Sequence, residues 1–107
     1  MIDITEQNFQ TEVIEASLST PVLIDFWAPW CGPCKSMAPA FEEAARLLAP
    51  GVRLGKVDTQ AQQALGARFQ VQSIPTLVLF RGGREIDRLS GARPAKDIVA
   101  WAKGRLG

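Results

Sequence analysis

Apolar residues along this chain fall into short runs and helical periodicities that take turns. The run "PVLIDFWA", residues 21 to 28, is apolar apart from Asp25, as expected for a strand buried on both faces of a parallel sheet. It should form the centre of that sheet. Before it, "IDIT" reads as a short strand over residues 2 to 5, and Thr5 can cap a helix over Glu6 to Ala16, where Phe9, Val13 and Ile14 recur at helical spacing. After it, Met37, Phe41, Ala44, Ala45 and Leu48 mark an amphipathic helix starting at Cys31, with Pro39 inside it removing a backbone donor and expected to kink it.

"VRLGKVD", residues 52 to 58, is a third strand, and Thr59 with Gln62 has the spacing of a capping box for a helix carrying Leu65 and Phe69. "TLVLF" and "EIDRLS" are strands joined through Arg81-Gly82-Gly83-Arg84, where two glycines can take the positive φ of a tight hairpin. Pro94 fits the first position of a last helix with Ile98, Trp101 and Ala102 on its inner face, Trp101 as a core residue. The order is read as βαβαββα. Strand-helix alternation followed by a hairpin predicts an α/β fold, a central mixed sheet with helices on both faces. No repeat, low-complexity tract or linker interrupts it, so residues 1 to 107 are expected to form a single domain.

Composition narrows the function classes. With 47% hydrophobic and 21% charged residues and a net charge of +1, the chain has ordinary globular composition and no broad field to draw in nucleic acid or an anionic membrane. No 18-residue apolar stretch is present, and the opening "MIDITEQNFQ" lacks a basic region followed by an apolar run, so the chain reads as unprocessed and cytoplasmic.

The only two cysteines stand in "WCGPCK", residues 30 to 35. As a staple they would close too short a loop to matter, about 2 kcal/mol on the chain-entropy formula against about 3 kcal/mol for a 15-residue loop. A structural zinc site usually needs four Cys or His ligands, and with two Cys and no His only a site shared between two chains could be built. A pair that cycles between dithiol and disulfide needs only two sulfurs within bonding reach, which C-x-x-C provides at the start of a helix.

Attack on a disulfide requires a thiolate, and the unpaired N–H groups and positive dipole end of a helix N-terminus favour one at Cys31. Gly32 permits close approach by a partner, and Pro33 early in a helix lacks only an N–H that would have been unpaired. Cys34, a turn further in, is expected to have less solvent access and to resolve the mixed disulfide that Cys31 forms. Asp25, a lone carboxylate in an apolar strand, is the natural acceptor for the Cys34 proton, with its pKa raised by desolvation. Lys56, the one charge inside "LGKVD", is the nearest candidate to pull that pKa back; the competing reading is an Asp25–Lys56 ion pair that only holds the sheet together. Trp30 reads as an exposed docking residue, Trp27 as loop packing, and Asp58, Lys35, Arg81, Arg84 and Arg88 as solvated surface. Composition alone makes Ile74-Pro75 a trans bond.

Taken together, "DFWAPWCGPCK", Pro39, Lys56, "SIPTLVLF", Gly82-Gly83 and Gly91 resemble the thioredoxin family over essentially the whole chain. The wording is closest to the bacterial thioredoxin 2 branch, many of whose members carry an N-terminal zinc module absent from this sequence. "DTQ" at residues 58 to 60 departs from the acidic D-x-D common in the family. The resemblance implies that Cys31 is the nucleophile, Cys34 the resolving thiol, Asp25 the buried proton-transfer residue and Lys56 its neighbour. It further implies a cis Pro75 facing the cysteines, a backbone at Ile74 free to pair with an extended partner, and an apolar docking surface of Trp30, Gly32, Pro33, Ile74, Pro75, Gly91 and Ala92.

The activity implied is that of a general protein-disulfide reductase, a monomer with no bound cofactor or metal, recycled by thioredoxin reductase and NADPH and acting on disulfide-containing client proteins. Two alternatives compete with it. A disulfide isomerase or oxidase would commonly carry a histidine between the cysteines, where this chain has Gly32-Pro33. A binding subunit would use the same surface with redox chemistry incidental.

Overall fold

A computed structural model describes residues 1–107. Its single five-stranded sheet has the order β1-β3-β2-β4-β5, with β1 (Ile2–Asp3), β2 (Val22–Trp27), β3 (Arg53–Asp58), β4 (Thr76–Arg81) and β5 (Arg84–Ser90). β1 and β2 pair parallel with β3, while β4 runs antiparallel to β2 and to β5, so the sheet is mixed. The helices are α1 (Gly32–Leu48), α2 (Gln63–Arg68) and α3 (Ala95–Leu106), and a further helical segment precedes β2. Element order is therefore βαβαβαββα: the predicted βαβαββα describes the chain from β2 onward and leaves out the first strand and helical segment.

Alternation along the strands sorts the core into two layers. Leu23, Leu54, Leu77 and Leu79 meet Met37, Phe41, Ala44 and Leu48 of α1 and Ile98 and Ala102 of α3. Val22, Ile24, Phe26, Val57, Val78 and Phe80 meet Phe9 and Val13 of the N-terminal segment and Leu65 of α2. β2 lies in the middle, buried on both faces as its composition predicted. Its neighbour β3 carries Gly55, where a Cβ would stand 3.0 Å from the Ile2 carbonyl oxygen, so glycine lets β1 approach. The hairpin also follows the sequence, with Gly82 at φ 68° and Gly83 at φ 84°.

Four boundaries differ. The predicted strand over residues 2 to 5 stops at Asp3 because Thr5 turns away: its N–H donates to Asn8 Oδ1 at 2.8 Å while its Oγ1 accepts the Asn8 N–H at 3.2 Å. The segment predicted as an α-helix is wound as a π-helix over Gln10–Glu15 and a 3-10 turn over Ala16–Leu18. Over so short a segment, the spacing of Phe9 and Val13 does not distinguish these windings. Thr59 and Gln62 form no capping box, since Thr59 Oγ1 donates to the Trp27 carbonyl at 2.9 Å and Gln62 Oε1 accepts the Glu6 N–H at 2.9 Å. Pro94 is the N-cap of α3, one residue before the first helical position. Trp101, predicted as core, is only half-buried, because its Nε1–H reaches out to Asp87 Oδ2 at 3.3 Å.

Candidate active site

The parallel strands β2 and β3 end on the same side, at Trp27 and Asp58, and the chain leaves β2 through Ala28-Pro29-Trp30 into α1. Cys31 is the N-cap of that 17-residue helix, extended at φ −87° and ψ 109°, with its N–H donating to the Ala28 carbonyl at 3.1 Å. An N-cap side chain normally presents an oxygen to the N–H two or three residues on. Here sulfur takes that role: the Cys34 N–H donates to Cys31 Sγ at 3.2 Å. A thiolate at Cys31 would therefore receive a charge-favouring hydrogen bond and the positive end of the helix dipole together, and no acidic residue in the first turn opposes it.

Cys31 and Cys34 are joined in a disulfide, with Cα atoms 5.3 Å apart. Both are buried, so the predicted difference in solvent access is small in this oxidised state. Cys31 Sγ also lies 3.8 Å from the carbonyl oxygen of Ile74. The Ile74-Pro75 bond is cis, as the resemblance implied and composition did not; Ala49-Pro50, which no sequence feature marked, is cis as well.

The predicted docking residues surround this disulfide unequally. Trp30 is 69% exposed, Gly32, Pro33, Gly91 and Ala92 are exposed, and Ile74 is half-buried with neither its N–H nor its C=O engaged in a backbone hydrogen bond. Pro75 is the exception. It is buried, and its carbonyl accepts the Gly91 N–H at 2.9 Å, so it fixes the Gly91 loop and offers no surface itself. On the other side of the disulfide, Trp30 and Ile74 continue into an open groove of about 290 Å³ whose far wall is α2. A larger concavity, about 620 Å³, lies at the opposite ends of β1 and β3; its one charged side chain away from the chain terminus, Arg53, is paired with Glu12.

Asp25 follows the alternation of Leu23 onto the face covered by α1, the helix that carries Cys34. It is fully buried, and neither carboxylate oxygen has a hydrogen-bond partner. Desolvation pushes its pKa from 3.8 to about 7, and the Lys56 charge works against that rise. Lys56 stands directly opposite Asp25 in the β2–β3 register, yet no ion pair forms. Its Nζ lies over the Trp27 ring instead, 4.4 Å from the centroid, so the ion-pair reading is set aside. Trp27 is packed, as predicted. Thr59 was missed: its N–H and its Oγ1 both donate to the Trp27 carbonyl, at 2.8 and 2.9 Å, tying the loop after β3 to the strand that leads to Cys31. Arg88, taken as solvated surface, is half-buried and braces Glu85 and the Phe69 carbonyl.

No group of three or more His, Cys, Asp or Glu side chains lies close enough to hold a metal ion, and no helix is long and apolar enough to cross a membrane. A disulfide at the N-cap of a helix, against the half-buried Ile74 whose backbone groups are left out of the sheet, defines a thiol–disulfide oxidoreductase. A family model described as Thioredoxin matches residues 1–104. The chain is 46% identical over 105 residues to Thioredoxin C-3 of Corynebacterium nephridii, covering 98% of this chain and 70% of that one. It is 42% identical over 96 residues to Thioredoxin 1 of Synechococcus elongatus, with 90% and 88% covered, and 45% identical over 92 residues to Thioredoxin of Mycobacterium tuberculosis, with 86% and 78% covered. The chain belongs to the thioredoxin family. Its redox-active Cys31–Cys34 pair gives it dithiol–disulfide reductase activity, which implies disulfide-bearing client proteins and a reductase-type partner.

Proposed function

We propose that residues 1–107 work as a single thioredoxin domain: a monomeric, cytoplasmic, general protein-disulfide reductase that thioredoxin reductase recycles with electrons from NADPH. It binds no cofactor, nucleic acid or membrane of its own. The observation that carries the reading is the Cys34 N–H on Cys31 Sγ at the N-cap of α1, which favours a thiolate at Cys31 in the reduced protein.

Cys31 Sγ attacks a client sulfur, forming a Cys31–client bond while the client disulfide breaks and its second sulfur leaves as a thiolate. Cys34 loses its proton to Asp25 and attacks Cys31 Sγ, releasing the client as a dithiol and closing the Cys31–Cys34 bond. Two electrons pass from the cysteine pair to the client. A carboxylate with a pKa of about 7 suits this transfer, being partly ionised at neutral pH and readily reprotonated. The client segment lies extended along Ile74, whose N–H and C=O have no backbone partner, over Trp30, Gly32 and Pro33 and beside Gly91 and Ala92. Pro75 supports it from below. The uncharged Gly32-Pro33 between the sulfurs favours the reductase over an isomerase.

The test is insulin reduction with thioredoxin reductase and NADPH. The wild type is expected to turn over; Cys31→Ser should abolish turnover, and Cys34→Ser should accumulate a mixed disulfide through Cys31. Absence of wild-type turnover overturns the proposal.

A further inference from the structure

α2 forms the far wall of the groove beside the disulfide, through Gln63, Gly66 and Ala67 facing Trp30 and Ile74. It is only six residues long, and Leu65 alone among them is buried. Its N-cap, Gln62, gives it no side-chain cap. Such a helix has unpaired N–H groups at its start and little burial to hold it, so its position is set by whatever else grips it.

The far end is held by its C-cap: the Phe69 ring packs against Phe9, Phe26 and Phe80, and its carbonyl accepts an Arg88 Nη2–H at 2.8 Å. The start has two grips from outside the helix. Thr59, in the loop leading into it, is tied to the Trp27 carbonyl by the two hydrogen bonds described above. Glu6 reaches across from the N-terminal turn: Glu6 Oε2 accepts the Ala64 N–H at 3.1 Å, and the Glu6 N–H donates to Gln62 Oε1 at 2.9 Å. The exchange is reciprocal and spans 58 and 56 residues of chain. Glu6 supplies from a distance the cap that Gln62 does not, while Gln62 returns a bond to Glu6.

We infer that Glu6 is a positioning residue for client docking: by latching the start of α2, it holds the groove wall opposite Trp30 and Ile74 at the width a protein client requires. The inference rests on the reductase reading above. Glu6 is exposed and is not among the hydrogen-bond partners of Cys31 Sγ, so it has no part in thiol exchange itself. Its contribution falls on clients large enough to lie along the groove and spares small disulfides that reach Cys31 directly.

The experiment compares two oxidants on the full chain. Insulin turnover is measured at saturating thioredoxin reductase and NADPH, and pre-reduced protein is reacted with 5,5′-dithiobis(2-nitrobenzoate), which takes two electrons from Cys31 and Cys34 and leaves as two aryl thiolates. Glu6→Ala should raise the KM for insulin about three- to tenfold with kcat unchanged, the range expected for losing a hydrogen bond that positions a binding surface. Its rate with the small disulfide should equal that of the wild type, and the amide of Ala64 should exchange faster with solvent. Glu6→Gln, which keeps an acceptor oxygen, should restore most of the insulin KM, and Gln62→Ala should show a weaker form of the Glu6→Ala effect.

An unchanged insulin KM in both Glu6→Ala and Gln62→Ala overturns the inference. So does an equal loss toward both oxidants, which would mean general destabilisation. A wild type inert toward insulin is a different failure, that of the reductase reading.

Discussion

Asp25 and Ser17 are both withdrawn from water, at 0% and 1% exposure, and their polar atoms fare in opposite ways. Ser17 Oγ donates to the Ile14 carbonyl at 2.8 Å and accepts the Gly83 N–H at 2.9 Å, while the Ser17 carbonyl accepts the Gly82 N–H at 2.8 Å. One hydroxyl thus fastens the hairpin between β4 and β5 to the end of the N-terminal helical segment. The Asp25 oxygens have nothing. A buried polar group that serves the fold is saturated, because leaving it bare costs stability; Asp25, left bare on the face covered by the helix that carries Cys34, costs stability and holds a proton that can move near neutral pH.

The largest effect separating them concerns charge. Asp25 has its folded pKa raised from 3.8 to about 7, so between those values the native state holds a proton the unfolded chain has released. Stability attributable to Asp25 is therefore fully present below pH 3.8 and is lost as pH rises through about 7, an amount on the order of 4 kcal/mol. Asp25→Asn removes this dependence. Urea unfolding of the oxidised proteins should show the variant gaining about 4 kcal/mol on the wild type between pH 4 and pH 8. In the reduced protein the same substitution should slow resolution by Cys34 about 100-fold while sparing the first attack by Cys31. Parallel stability curves would mean that Asp25 ionises at an ordinary pH and that the contrast with Ser17 is wrong.

Ser17→Ala tests the other side. It removes the acceptor of the Gly83 N–H and the donor to Ile14 in one step, leaving a backbone group of the hairpin unpaired. A loss of about 1–3 kcal/mol is expected, the same at pH 4 and pH 8, with insulin turnover unaffected below the unfolding transition. A loss that varied with pH would place a titrating group at the hairpin where none is seen.

These two residues also mark what was legible beforehand. Asp25 could be found because a single carboxylate breaks an apolar strand, and both its burial and its raised pKa follow from that context alone. The sulfurs, the two core layers and the Gly82-Gly83 turn were readable for the same reason: each is a local pattern. Ser17 was not, since its partners at Gly83 and Gly82 lie 66 and 65 residues away and nothing nearby in sequence announces them. The reciprocal bonds of Glu6 and the diversion of Thr59 to Trp27 escaped likewise, and they replaced the local capping box that the spacing of Thr59 and Gln62 had indicated. Local rules lose wherever a distant backbone group competes for the same side chain.

Lys56 provides the finest probe of the comparison, because it lies opposite Asp25 without bonding to it. Burial is the larger influence on the Asp25 pKa and the Lys56 charge the smaller, opposing one. Lys56→Met keeps a flexible apolar stem against Trp27 and deletes the charge, so the Asp25 pKa should rise further above its present value of about 7. Fewer carboxylates are then ionised at neutral pH, and Cys34 resolution should slow at pH 7 and recover at higher pH, whereas Lys56→Arg should keep the wild-type profile. The stability readout has the same sign: Lys56→Met should match the wild type at pH 4, apart from any packing change, and fall below it at pH 8, where an ionised Asp25 no longer has a nearby cation. In the Asp25→Asn background both effects should vanish. If Lys56→Met instead slows resolution equally at every pH, Lys56 acts through the Trp27 ring and the position of the loop that follows, and the charge at residue 56 has no share in tuning Asp25.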